Sequence, residues 1–309
     1  MSVAPAVSVV VPTHNRRDTV VSTVRELFAQ HAVDLEIVVV DDGSTDGTSE
    51  ALEALGDPRV RVVRHPRALG QSRARDAGVA AARAEWVAFL DDDDRWAPDK
   101  LRRQLDAAAA ANADFVYCTA VTASVTGTVF DHLPAPDPDA LRRLIRAYNV
   151  IPAGSSNVLV RADLLQRVGG FDPALTHLAD WDVWIRLTEA GQAAVCPEPL
   201  VAYILHETNI HLDQSGLASE ARHLRAKHAR SSLPGQLDRA ALDGWRGWAH
   251  QRRGSSLTAA RFYLAAAVRS RRASYLPAVA SALLEHLRVR RPKVRELVPP
   301  DWLARSPAR

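Results

Sequence analysis

Short, almost uninterrupted runs of β-branched apolar residues alternate with amphipathic stretches through the first third of the chain. No other feature constrains the fold as tightly. Val7–Val11, Leu35–Val40, Val60–Val63 and Trp86–Leu90 read as strands, and Asp18–Gln30, Thr48–Leu55, Gln71–Ala82 and Pro98–Ala111 as the helices between them. Within the first helix Val20, Val24, Leu27 and Phe28 fall on one face. Strands without polar alternation are buried on both sides, so the pattern predicts an α/β fold with a mostly parallel sheet covered by helices on both faces. Sheets of that kind bind ligands beyond the carboxyl ends of their strands.

The residues at those ends are informative. Pro12–Arg16 (PTHNR) follows the first strand, Asp41–Thr48 (DDGSTDGT) the second and Asp91–Trp96 (DDDDRW) the fourth. The third is followed by Arg64, Arg67, Arg73 and Arg75. One edge of the sheet thus collects carboxylates, turn residues and arginines, which is what a site for a metal-bound anionic ligand needs.

The middle of the chain is less regular. Phe115–Thr119 reads as a strand, Val121–Val129 as an extended pair around Gly127, and Ala140–Ala147 as a helix behind a Pro-rich loop. Ser155–Val160 reads as a strand, Asp180–Glu189 as a helix and Val201–Leu205 as a last strand. Beyond Ser215 the composition turns to Ala/Leu/Arg helices, and we expect a boundary there. Residues 1–214 would form one domain, with a first part to about 119 and a second from about 120, and residues 215–309 a basic helical region.

Composition removes other classes. With 309 residues, 47% hydrophobic and 24% charged, the chain is neither low-complexity nor disordered. Cys118 and Cys196 lie far apart with no CxxC, so neither a disulfide framework nor a structural zinc is expected, and a reducing cytoplasm fits. The N-terminus lacks the pattern of a signal peptide, and the apolar runs fall short of the roughly 20 residues that span a bilayer. Net charge divides unevenly. From Glu220 onward there are 19 Lys/Arg against 6 Asp/Glu, and before it 20 against 30. The acidic part should hold the chemistry. The basic part is a solvated helical face or a surface for an anionic membrane, at the inner face of which the protein would sit peripherally; nucleic-acid binding ranks last for want of a motif.

Taken together, VSVVVPTHNR, the strand ending in VVVDDGSTDGT, FLDDDDRWAPDKL, and GGFDP followed by DWDVWIRL resemble, in order and spacing, the family-2 glycosyltransferases of the GT-A fold. The resemblance covers residues 7 to about 210. It implies an inverting enzyme that moves a sugar from a nucleotide-diphosphate sugar to an acceptor hydroxyl with Mn²⁺ or Mg²⁺. The family's DxD falls on Asp91-x-Asp93, making Asp93 the direct metal ligand with Asp91 beside it, and turning Asp92 toward the ribose. Four adjacent carboxylates repel one another, and a hard divalent cation relieves that; a solvated acidic turn is the alternative.

Asp41 and Asp42 are placed to accept from the imide N–H of uracil or thymine, so a UDP- or dTDP-sugar is favoured, while Ser44–Asp46 cap the next helix. In the family Pro12 and Thr13 line the base pocket, and Arg75 matches a position that reaches the base or diphosphate. Asp180 matches the carboxylate that opens a helix in an ED-W-D pattern and acts as general base, with Asp182 its acidic neighbour and Ala179 replacing the usual Glu. Trp181 and Trp184 are candidates for stacking on a sugar, one of them belonging to the core. His206 and His211 resemble the YxxH segment, where a histidine ligates the cation or touches the diphosphate; a plain surface histidine is the equal alternative. Gly169, Gly170 and Phe171 resemble the turn that shapes the acceptor side. The acceptor is a glycan, a lipid-linked sugar or a small molecule. The rival readings are a non-catalytic sugar- or nucleotide-binding GT-A protein and, below it, a sugar-nucleotide pyrophosphorylase, which would need a Gly-rich phosphate loop where PTHNR stands.

Overall fold

The computed structural model describes residues 4–206, 209, 213–287 and 297–304. Its elements run β1 (Val7–Thr13), α1 (Arg17–Leu27), β2 (Leu35–Asp41), α2 (Thr48–Glu53), β3 (Val60–Arg64), α3 (Gln71–Ala81), β4 (Trp86–Phe89), β5 (Arg95–Trp96), α4 (Lys100–Ala111), β6 (Phe115–Ala123), β7 (Val129–Leu133), α5 (Pro138–Leu144), β8 (Leu159–Arg161), α6 (Ala162–Arg167), α7 (Ala179–Ala190) and β9 (Ala193–Ile204). The helices α8 (Leu217–Lys227), α9 (Arg239–Arg252), α10 (Ser256–Ser270), α11 (Leu276–His286) and α12 (Asp301–Ala304) follow.

The strands form one mixed sheet ordered β3-β2-β1-β4-β8-β6-β9-β5, with β7 paired to β6. β3, β2, β1 and β4 are parallel, and antiparallel β8 joins them to β6. Period-two alternation buries both faces. Val7, Val9, Val11, Ile37 and Val39 meet Val20 and Val24 of α1 and Leu101 of α4, while Val10, Val38 and Val40 meet Ala74 of α3 and Trp184 of α7. Chain order reverses at β1, with β2 and β3 on one side and β4 on the other. The crevice at such a switch point opens beyond the carboxyl ends of β1 and β4, where Pro12–Arg16 and Asp91–Asp94 emerge. Gly78 lets α3 lie directly on β1, because a Cβ there would stand 2.3 Å from Val10 Cγ1. That close seat sets the height of Gln71 and Arg75 over the crevice.

Three local features were not read from the sequence. Ser155–Val160 is not a continuous strand: 154–157 form a 3₁₀ turn and only Leu159–Arg161 pair as β8. Asn157 replaces the missing ladder, accepting from Cys118 N at 2.6 Å and donating to Cys118 O at 2.7 Å through its side chain. The two-residue β5 carries no periodicity and is defined by its pairing with Val201 and Ala202. Finally, the change of composition at 215 precedes the change of core. Leu217, Ala221, Leu224 and Leu233 complete the core beneath α7, and a separate cluster built on Ala259, Ala260, Tyr263 and Ala282 belongs to α10 and α11. Among the described residues no helix is long and apolar enough to cross a membrane.

Candidate active site

The loops after β1 and β4 are tied together by their polar side chains. Thr13 Oγ1 donates to Asp92 Oδ2 at 2.7 Å, and Arg16 Nη1 bridges Asp92 Oδ1 at 2.9 Å and Asp93 Oδ2 at 2.6 Å. Burial pushes the Asp92 carboxyl up to about 6, with the neighbouring Asp93 charge adding to it and Arg16 and Thr13 offsetting part. Asp93 is partly buried, which raises it, yet the bonds from His206 and Arg16 hold it below the usual carboxylate range. Asp94 turns inward, accepting from Ser156 Oγ at 2.6 Å and Ile204 N at 3.0 Å. Fully buried beside Asp93 and Asp91, its carboxyl is raised well above normal. Only the first three members of the acidic run reach the crevice. Arg16 was legible only as one residue of PTHNR; nothing in its spacing marks it as the counter-charge of that run.

The two aspartates ending β2 separate. Asp41, expected against the nucleotide, instead accepts from Ser44 N at 2.8 Å and from Ser49 Oγ, and is fully buried within its own turn. The geometry makes it the cap of the turn, because both of its oxygens are engaged there. Asp42 does face the crevice. Its carboxylate gathers the 65–70 loop, accepting from His65 Nδ1 at 2.7 Å, Leu69 N at 2.9 Å and Gly70 N at 2.8 Å. Although burial raises it, these donors hold the Asp42 carboxyl below its ordinary value.

Two chambers meet at this edge. The smaller, about 210 Å³, is lined by Pro12, Thr13, Asp42, Asp92 and Asp93 among others. The larger, about 500 Å³, is lined by Arg75, Asp180 and Trp181, with apolar walls beyond them. Gln71, Asp91 and Tyr203 line both and form the passage between them. Asp91 thus lines the smaller chamber together with Asp92 and Asp93, and the larger one as well. Its Oδ1 accepts from Arg75 Nη2 at 2.7 Å and Gln71 Nε2 at 3.2 Å. Arg75, expected at the base or diphosphate, lies buried in the larger chamber over the Phe171 ring, 5.3 Å from its centroid.

Asp180 occupies the second position of α7 and accepts from Trp181 N at 2.7 Å. Burial raises its carboxyl, nearby Arg75 lowers it, and Asp91 adds to the rise. The helix start is capped from afar, with Glu220 of α8 accepting from His177 N at 2.9 Å and Leu178 N at 3.1 Å. Ala179 is itself core, 1% exposed, at the position that carries Glu in the resembling family. Asp182 points away from the chamber. It is fully buried, accepting from His228 Nε2 at 2.8 Å, Lys227 Nζ at 2.9 Å and Arg186 Nε at 3.1 Å. Trp184 is core with 0% exposure, and Trp181 is the tryptophan of the pair that lines the chamber. The Gly169–Phe171 turn is clamped to α3 by Asp76, which accepts from Phe171 N at 2.9 Å. A Cβ on Gly170 would meet Asp76 Oδ1 at 2.5 Å.

His206 meets the acidic run, its Nε2 lying 2.8 Å from Asp93 Oδ2. His211 lies outside the described residues. Among the described residues no three His, Cys, Asp or Glu side chains converge as a ready-made cation cage. Asp93 and His206 supply one carboxylate and one imidazole, a donor pair that suits a divalent cation completing its shell with ligand oxygens and water.

An acidic crevice at the switch point thus adjoins a second chamber that carries the half-buried carboxylate of Asp180. The fold is that of GT-A transferases. The sequence model described as Glycosyl transferase family 2 matches residues 8–169. The chain is 32% identical over 305 residues to the succinoglycan biosynthesis protein ExoO of Rhizobium meliloti, covering 93% of this chain and 83% of that one. It belongs to glycosyl transferase family 2. Among solved structures, Staphylococcus aureus TarS 1-349 in complex with UDP-GlcNAc aligns with a TM-score of 0.61 at 16% identity, over 93% of each chain. The Pyrobaculum calidifontis mannosyltransferase PcManGT, in complex with GDP-Man and Mn²⁺, aligns with a TM-score of 0.57 at 23% identity, over 94% of this chain and 82% of that one.

Proposed function

We propose that this chain transfers a sugar from a nucleoside-diphosphate sugar to an acceptor hydroxyl with inversion at the anomeric carbon. The observation that carries the reading is the passage through Asp91, which joins the chamber of Asp42, Asp92 and Asp93 to the chamber of Asp180. Pro12, Thr13 and Asp42 hold the nucleotide, with a UDP- or dTDP-donor favoured by a carboxylate at the base. TarS with UDP-GlcNAc and PcManGT with GDP-Man and Mn²⁺ are fold neighbours that take such donors. Asp93 and His206 would hold Mn²⁺ or Mg²⁺, which neutralises charge on the diphosphate.

In the larger chamber the acceptor oxygen forms its bond to the anomeric carbon. The bond from that carbon to the diphosphate oxygen breaks, and its electron pair leaves with the nucleoside diphosphate. The acceptor proton passes to Asp180. Arg75, between Asp91 and Asp180, keeps that carboxylate ionised until it takes the proton. A non-catalytic binding protein would not need this second carboxylate. The exposed Leu264, Val268, Leu283 and Leu287 on α10 and α11, beside Arg261, Arg269, Arg271 and Arg272, support peripheral contact of the basic helices with an anionic membrane.

Calorimetric titration of UDP with and without Mn²⁺ tests the donor site. Wild-type protein is expected to bind more tightly with Mn²⁺, and Asp93→Ala to lose that enhancement. Enhancement retained in the variant would remove Asp93 from the cation site, and no UDP binding by wild type under either condition would reject the donor reading.

A further inference from the structure

The larger chamber is closed by a helix from outside the part of the chain that carries the family resemblance. Ala241, Leu242, Trp245 and Trp248 of α9 line it, opposite Asp180 and Trp181. Their spacing puts all four on one face of the helix. A second flank of α9 is held by the C-terminal cluster at two glycines. A Cβ on Gly244 would stand 2.7 Å from the Tyr275 ring, and one on Gly247 2.8 Å from the Tyr263 ring. Arg252, in the last turn, lies over the Trp248 ring at 5.2 Å and the Phe130 ring of β7 at 5.9 Å. The tryptophan face is thus fixed in rotation by packing from α10, from Tyr275 in the 3₁₀ turn Ala273–Tyr275 and from the sheet.

The wall of the same chamber also carries two buried hydroxyls. Among the described residues Thr122 Oγ1 and Ser155 Oγ find no hydrogen-bond partner, although the residues are only 7% and 1% exposed. Leaving a buried hydroxyl unpaired is costly, and each such group calls for a partner. A ligand that satisfies this chamber needs flat apolar faces for the indoles and hydroxyls on its edges for Thr122 and Ser155. A pyranose ring has both. A purely apolar molecule would fill the chamber and leave the hydroxyls unpaired, while a small polar one would leave the indole faces wet.

We infer that α9 builds the acceptor subsite, with Trp245 and Trp248 binding a saccharide acceptor whose hydroxyl is presented to Asp180. The inference rests on the transferase reading for the direction of transfer, though not for the existence of the subsite. The helical C-terminal region then sets acceptor specificity for chemistry performed by the resembling part of the chain.

Saturation-transfer NMR on the full chain, with UDP and Mn²⁺ present and a panel of neutral trisaccharides (cello-, laminari- and N-acetylchitotriose) beside aryl alcohols, tests it. Wild type is expected to saturate sugar ring protons of at least one trisaccharide. Trp248→Ala and Trp245→Ala should each weaken that binding by about tenfold, and Trp248→Phe should retain most of it. The UDP signal in the same tubes reports that each variant is folded and that the donor chamber is intact. UDP signal without any trisaccharide signal, saccharide binding unchanged in both alanine variants, or Trp-dependent binding of aryl alcohols alone would overturn the subsite and leave the donor reading standing. Trp248-dependent saccharide binding without UDP binding would support the subsite and count against the donor reading instead.

Discussion

Replacing Asp180 by asparagine is expected to lower sugar transfer by about 10²- to 10⁴-fold, the range for loss of a general base, while UDP binding should stay at the wild-type value. Asparagine keeps the size of the side chain and the acceptor for Trp181 N, so α7 has no reason to move. What disappears is the group that takes the acceptor proton. The separation of the two chambers explains why the donor is indifferent: Asp180 lines only the larger one, and the nucleotide residues only the smaller. A pH profile adds a second readout. Burial raises the Asp180 carboxyl above an ordinary aspartate, against the opposing charge of Arg75. The base works deprotonated, so kcat should fall as pH drops through that raised value, at a higher pH than an unperturbed carboxylate near 3.9 would give. Substantial turnover by Asp180→Asn with a normal acid limb would remove the residue from catalysis.

Asp182→Ala is expected to cost about 3 kcal/mol of folding stability, the scale for removing one partner of a buried ion network. The loss strands Lys227, His228 and Arg186, which converge on one fully buried carboxylate and join α8 to α7. Burial raises this carboxyl; the bond from His228, the Arg186 charge and the bond from Lys227 outweigh it and hold it below the normal range. A group with a lowered folded pKa contributes its stabilisation above the unfolded value, near pH 4, and loses it as pH falls through the folded one. Urea unfolding at neutral pH measures the difference. A change under about 1 kcal/mol, the scale of an exposed pair, would show that the network does not hold the helices together. Because α7 also carries Asp180, the variant should lose activity in proportion to the folded fraction.

Much of this was legible in the chain because a buried strand writes a continuous apolar run and a switch-point loop must follow it. Thr13, Asp42, Asp92 and Asp93 were found by that rule, at the ends of β1, β2 and β4. Adjacent identical residues defeated it. Asp41 and Asp42, or Asp93 and Asp94, differ only in which way the backbone turns their side chains, and the turn is decided by Ser44 and Ser49 just downstream of Asp41 and by Ser156 from a distant segment. The ion pair of Asp91 with Arg75 was hidden for the same reason, since Arg75 arrives from α3. The DWDVW stretch marked Asp182 only as the acidic neighbour of Asp180, and helical spacing sends it to the far side, where it meets α8. Trp245 and Trp248 were invisible as site residues, since an apolar helix face carries no mark of whether it meets a core or a cavity. The composition change at 215 was real, but composition records charge and helix propensity rather than which core a helix completes.

Hydrogen exchange of the wild-type protein, with and without UDP and Mn²⁺, bears most directly on the convergence of the acidic segments. Amides in residues 10–16, 64–71 and 91–96, separated in sequence and gathered at one edge of the sheet, should slow together when the nucleotide binds. Protection confined to one of the three segments, or found elsewhere in the molecule at saturating nucleotide, would contradict a shared donor site.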